Sequence, residues 1–209
     1  KGSTWTLAAS SVLEEPVDVG TTTGAGASGT ALVFDGSDDH MVVGSDKASW
    51  NFLHDGSSWT IGFWYKAETL SEVQVIFNTN GSTNTNVGFQ MLTLDSGGKI
   101  RCRINNTSGD VISVTTNDGF VPNTTDWHYY VFAYDSALGS NQLKAYRDGS
   151  LDSQATATGS SPSTADAHNQ LTVGVLSDDH SLWNLKGGLD EVVIYDRALS
   201  QGEIDCLFG

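Results

Sequence analysis

Basic residues are scarce: ten Lys and Arg stand against 25 Asp and Glu, a formal charge of −15 over 209 residues. That balance excludes nucleic acid and anionic membranes as partners, because both are bound through clustered Lys and Arg. Cysteine is nearly absent. Cys102 and Cys206 alone build neither a disulfide framework nor a metal motif. The sequence leaves open whether they pair or each acts as a small hydrophobe. No apolar run approaches the roughly 20 residues of a membrane-spanning helix, and no cleavable leader opens the chain. Lys1-Gly2-Ser3 reads as a cut boundary, so the chain is expected to be a piece of a larger polypeptide. Long helical periodicity is missing too, which excludes a helical bundle.

What is present is β texture. Short β-branched and aromatic runs alternate with Gly, Asn, Asp, Ser and Thr clusters, giving about a dozen expected strands. In Trp59-Thr60-Ile61-Gly62-Phe63-Trp64-Tyr65-Lys66, alternation puts Trp59, Ile61, Phe63 and Tyr65 on one face, toward a core. His128, Tyr130, Phe132 and Tyr134 share a face opposite Trp127, Tyr129, Val131 and Ala133, so that strand is expected to be central and covered on both sides. Asp148-Gly149 and Ser96-Gly97-Gly98 read as hairpin turns. With 38% hydrophobic and 10% aromatic residues there is enough material for a sizeable core. No linker-like shift in composition divides residues 1–209. The pattern therefore fits a single all-β domain: two antiparallel sheets packed as a sandwich. Leu13-Glu14-Glu15-Pro16-Val17 reads as an edge strand stopped by proline. At the other end, Ser200 and Glu203 have the spacing of a capping box for one last helical turn.

Several segments, taken in order, resemble the laminin G-like domains of the concanavalin A-like lectin and glucanase fold. They are Ala31-Leu32-Val33-Phe34-Asp35-Gly36, Trp59 to Lys66, Asp126-Trp127-His128-Tyr129-Tyr130-Val131, Tyr146-Arg147-Asp148-Gly149, Leu171-Thr172-Val173-Gly174 and Gly187 to Ser200. The match runs from about Thr30 to Phe208; residues 1–29 match poorly. The resemblance implies a concanavalin A-like jelly roll with its first and last strands side by side. It further implies a calcium ion at one edge, and a glycan or a cell-surface or protein ligand met by loops or the concave sheet. An extracellular, cell-surface or virion-associated setting is expected.

A hard cation wants six to eight oxygens. Asp35-Gly36-Ser37-Asp38-Asp39 puts three carboxylates in one turn. If the outer strands are adjacent, Asp190 approaches from the other side. The expected ligands are Asp35, Asp39 and Asp190, with Asp38 the weaker candidate. The alternative is a plain Asp-Gly turn with solvated acids. Trp183, near Asp178 and Asp179, has the makings of a sugar site: an aromatic face beside paired acceptors. Its alternative role is a loop anchor. Trp50, Trp64 and Trp127 are rival platforms, and the amide-rich run from Asn78 to Asn86 could reach hydroxyls. Catalysis is not expected. Retaining glycoside hydrolysis needs two carboxyls about 5–5.5 Å apart, which this fold supplies from a Glu-x-Asp-x-Glu strand. Here the one Glu-x-Asp is Glu203-Ile204-Asp205, followed by Cys206, Leu207 and Phe208. A non-catalytic carbohydrate-binding or adhesion module is thus expected. The alternative is a structural domain of a virion or cell-surface protein.

Overall fold

The computed structural model describes residues 4–6, 18–20, 31–44, 46–81, 83, 85–176 and 182–208. In chain order the strands are β1 (Thr4–Thr6), β2 (Asp18–Gly20), β3 (Ala31–Asp35), β4 (Met41–Val43), β5 (Trp59–Ala67), β6 (Gln74–Asn78) and β7 (Gly88–Thr93). They continue as β8 (Ile100–Asn106), β9 (Gly109–Thr115), β10 (His128–Tyr134), β11 (Leu143–Arg147), β12 (Ser150–Ala155), β13 (Leu171–Val173) and β14 (Lys186–Tyr195). A 3-10 helix spans Ala48–Leu53, and α1 spans Gln201–Phe208. Among the described residues no helix is long and apolar enough to cross a membrane. The expected edge strand at residues 13–17 lies outside the described residues.

The strands form two antiparallel sheets. One runs β12-β11-β10-β5-β14-β3-β2, with β1 also on β14; the other runs β4-β13-β6-β7-β8-β9. The closing strand β14 lies between β5 and β3, so the first long strand and the last are neighbours, as the resemblance implies. Hairpin chemistry sets much of the register. Asp148 and Gly149 take φ of +50° and +75°, which is what a two-residue turn between β11 and β12 requires.

Alternation fills the space between the sheets. Trp59, Ile61, Phe63 and Tyr65 are fully buried in one core with Phe77, Phe89 and Met91 from the facing sheet. Trp59 meets Phe89 edge-on at 5.2 Å and Phe63 meets Phe77 at 5.3 Å. Each such pair contributes roughly 0.5–1.5 kcal/mol beyond its buried area. The other face of β5 and β10 is covered too: Trp64, Tyr129, Val131 and Ala133 pack with Leu199 and Ile204 at the C-terminal end. Cys102 is buried in the core and Cys206 is exposed on α1, so the two do not pair.

The start of α1 is fixed locally. The Glu203 carboxylate accepts hydrogen bonds from the Ser200 N–H and hydroxyl, both at 2.9 Å, and pairs with Arg197 at 2.7 Å. The expected single turn is a helix of eight residues, because its apolar side has the outer-face cluster to rest on.

Candidate functional site

The acid turn joins β3 to β4. Gly36 has φ of +86°, and a β-carbon there would press on the Lys186 stem at 3.1 Å. The turn therefore uses glycine for both its backbone and its space. The Ser37 N–H donates to Asp35 Oδ1 at 2.7 Å, and the Asp35 N–H donates to Asp39 Oδ2 at 2.8 Å. Buried His40 donates from Nδ1 to the Asp38 carbonyl at 2.8 Å. Folded this way, Asp35, Asp38 and Asp39 each bring a carboxylate oxygen to within 4.8 Å of the others. That spacing suits oxygens sharing one calcium-sized ion, whose bonds run about 2.3–2.6 Å.

Asp190 is not part of this group. Across the β3–β14 ladder Asp35 faces Lys186; Asp190 lies four residues farther on, roughly 13 Å at a strand's rise. It stands opposite Trp64, next to a bulge where Glu191 takes φ of +45°. Burial raises its pKa, while its own Oδ1 accepts the Glu191 N–H at 2.8 Å. Asn184 comes to the turn instead. Its side-chain amide donates to the Ser37 carbonyl, and its Oδ1 is buried with no hydrogen-bond donor among the described residues. Nothing in the sequence marks this asparagine, which depends on the loop before β14 folding back over the turn.

Asn184 also lines a cleft of about 420 Å³ with Gly36, Ser71, Glu72, Asp95 and Trp183. Trp183 is 38% exposed and holds φ of +59°, a rare backbone for so bulky a side chain. Its carbonyl accepts the Val75 N–H at 2.8 Å, which pins the strained backbone to the start of β6. Asp178 and Asp179, expected beside Trp183, lie outside the described residues.

The rival platforms separate. Trp50 is buried and donates from Nε1 to the Val43 carbonyl at 2.9 Å. Trp64 is buried in the outer-face cluster, and Trp127 is half-buried at its edge. Of the amide-rich run, Asn78 and Asn80 point inward. Asn78 Oδ1 accepts from Gln90, whose Oε1 in turn accepts from buried Arg103 at 2.6 Å. The Glu203 of the lone Glu-x-Asp is committed to the helix cap.

A family model described as the concanavalin A-like lectin/glucanases superfamily matches residues 21–205. No curated protein matches the chain. Among solved structures, the CBM40 of the Ruminococcus gnavus IT-sialidase is 14% identical with a TM-score of 0.64, covering 86% of this chain and 96% of its own. A K499G mutant of the NanB sialidase from Streptococcus pneumoniae is 16% identical with a TM-score of 0.64, covering 84% of this chain but 27% of its own. The receptor binding domain of botulinum neurotoxin mosaic serotype C/D is 14% identical with a TM-score of 0.67, covering 94% and 45%. At such identities these structures bear on the fold alone, and they agree with the two-sheet sandwich. With its family model spanning nearly the whole chain, this protein belongs to the concanavalin A-like lectin/glucanases superfamily.

Proposed function

We propose that the chain is a non-catalytic carbohydrate-binding or adhesion module that meets its glycan at the Trp183 cleft, beside a calcium ion. The observation that carries this reading is the backbone of Trp183. A bulky residue in left-handed geometry costs on the order of 1–3 kcal/mol and persists only where surrounding contacts enforce it. Here the outcome is an indole held at the wall of an open cleft. A sugar ring stacks its apolar face on such a ring, while Ser71, Glu72 and Asp95 offer partners for its hydroxyls.

Calcium fits the neighbouring turn. Asp35, Asp38 and Asp39 would supply carboxylate oxygens, and Asn184 Oδ1 lacks a donor at the same turn. Bound there, the ion would neutralise three crowded carboxylates and steady the loop that carries Trp183. A site this exposed suits the weaker affinities of extracellular modules, roughly 10⁻⁴–10⁻³ M. That accords with an extracellular or surface setting. The CBM40 sandwich, also known in a structure bound to alpha2,3 sialyllactose, is a precedent for glycan recognition on this fold. Among the described residues no strand carries the paired acids of a retaining hydrolase, which favours binding over turnover.

A glycan array, with calcium and with chelator, tests the reading on wild type and W183A. We expect calcium-dependent binding to one group of glycans and its loss in W183A. Silence on all glycans with calcium present, or full binding by W183A, would overturn it; silence would leave the structural role.

A further inference from the structure

A different surface carries the next step: the outer face of the eight-stranded sheet at the β10 end. Trp127 immediately precedes β10, whose first residue, His128, pairs with Tyr65 of β5. Continuing that register puts Trp127 beside Lys66, which faces Gly188 of β14. The indole reaches across this row. A β-carbon at Gly188 would overlap its six-membered ring, and Gly187 beside it takes φ of +149°. A glycine in a strand marks a close approach; Gly188 leaves room for the six-membered ring of Trp127, and Gly187 for the Lys66 backbone.

The ring is not packed away. It walls two separate clefts. One, of about 200 Å³, is bordered by Val33, Lys66, Glu68, Thr124, Gly187 and Gly188. The other, of about 310 Å³, is bordered by Trp64, His128, Asp148 and Phe208. Among the described residues neither shares a lining residue with the Trp183 cleft.

The charges are arranged unevenly. Glu68 is paired with Lys186 at 3.6 Å, and Asp148 with Arg147 at 3.7 Å, with a hydrogen bond to His128 at 2.7 Å. Lys66 is not committed in this way. Its ammonium lies over the Trp127 ring, 5.6 Å from the ring centre, in a cation–π contact, and among the described residues no carboxylate is within ion-pair distance. A half-buried cation at the wall of a cleft, with an indole and no carboxylate beside it, is placed to receive an anion from outside.

We infer that Trp127 is the platform of a second saccharide site, for a sugar that carries a carboxylate. The sugar's apolar face meets the indole, its carboxylate meets Lys66, and a hydroxyl meets Thr124. An isolated anion would gain little from one half-buried ammonium that water still reaches. An uncharged sugar would leave Lys66 without a counter-charge. The combination selects an acidic pyranose, and the site stands independently of the Trp183 cleft.

The test is a titration of ¹⁵N-labelled protein with glucuronic acid, with glucose, and with a short polyglutamate peptide. The signal is the Trp127 indole N–H resonance, assigned with W127F. We expect glucuronic acid to shift it, glucose to bind more weakly, and polyglutamate to leave it in place. K66Q, on the surface and compatible with the fold, should weaken glucuronic acid about tenfold. Chelator should not change the result, which separates this site from the calcium-linked rim. No shift with glucuronic acid, a shift undiminished in K66Q, or tighter binding of polyglutamate would each overturn the proposal.

Discussion

Lys186 stands directly across the β3–β14 ladder from Asp35, and its stem packs against Gly36 while its ammonium turns away to Glu68 at 3.6 Å. The acid turn is therefore flanked by a lysine stem without being neutralised by its head. The calcium ion proposed above would be shared by the three carboxylates, whose oxygens lie within 4.8 Å of one another.

Calcium should accordingly stabilise the fold. At a hundredfold excess over its dissociation constant, binding to the native state alone adds about 2.7 kcal/mol. For a domain of this size that raises Tm by roughly 5–10 °C. Thermal unfolding with calcium and with chelator measures it. D35N and D38N should abolish the shift, whereas D190N should keep it. A calcium response lost in D190N but retained in D35N would refute the assignment.

The cap of α1 predicts a second, acid-side behaviour. The hydrogen bond from Arg197, followed by those from Ser200, lowers the Glu203 pKa from 4.5 to about 2. A depressed carboxylate pKa means stability fully present above the unfolded value of 4.5 and lost as pH falls toward 2. Glu203 is solvent-exposed, so salt should blunt the effect. The Glu203 side-chain carboxyl resonance should titrate near 2 in wild type and return toward 4.5 in R197Q. A midpoint near 4.5 in wild type would count against the cap.

These features were not equally legible in the sequence. The sandwich was legible because alternation is a local property: Trp59 to Tyr65 and Tyr130 to Phe132 declare their inward faces residue by residue. The acid turn was legible because its three carboxylates are sequence neighbours. The distance of Asp190 from the acid turn is not legible, because adjacency of β3 and β14 says nothing about offset; four residues along a ladder separate contact from no contact. Asn184 carried no signal at all, since a loop amide gains meaning only once the loop folds over Ser37. Trp127 is legible only as one of three rival platforms on a face expected to be covered, because alternation cannot register that Gly188 makes room for its ring between two clefts. The short strands Thr4–Thr6 and Asp18–Gly20 are too brief for any period to show.

His54 gives the last prediction. It is fully buried just after the 3-10 helix and donates from Nε2 to the Ala165 carbonyl at 3.0 Å, while Nδ1 is buried without a hydrogen-bond partner among the described residues. Asn51 joins the same two segments, bonding Asp166 at 2.8 Å and the Ala167 N–H at 3.2 Å. Protonating Nδ1 would create a buried N–H with nothing to receive it. Burial accordingly lowers the His54 pKa below 6.5, against the opposing pull of the Ala165 carbonyl, Asp55 and Asp166. The sign follows from proton counting. Below about pH 6.5 the unfolded chain takes up a proton that the folded one refuses, so stability is full above 6.5 and declines as pH falls. The decline approaches about 1.4 kcal/mol per pH unit and levels off once the folded pKa is passed. H54Q keeps a donor for Ala165 but cannot titrate. It should lose stability at neutral pH through imperfect packing, yet shed the His54 share of the slope below pH 6.5. Urea midpoints from pH 7.5 to 5 for both proteins, with the His54 ring resonance followed in parallel, decide the matter. A ring that titrates at 6.5 in the folded protein, or an unchanged slope in H54Q, would show that the loop at Ala165 opens to water before the imidazole takes its proton.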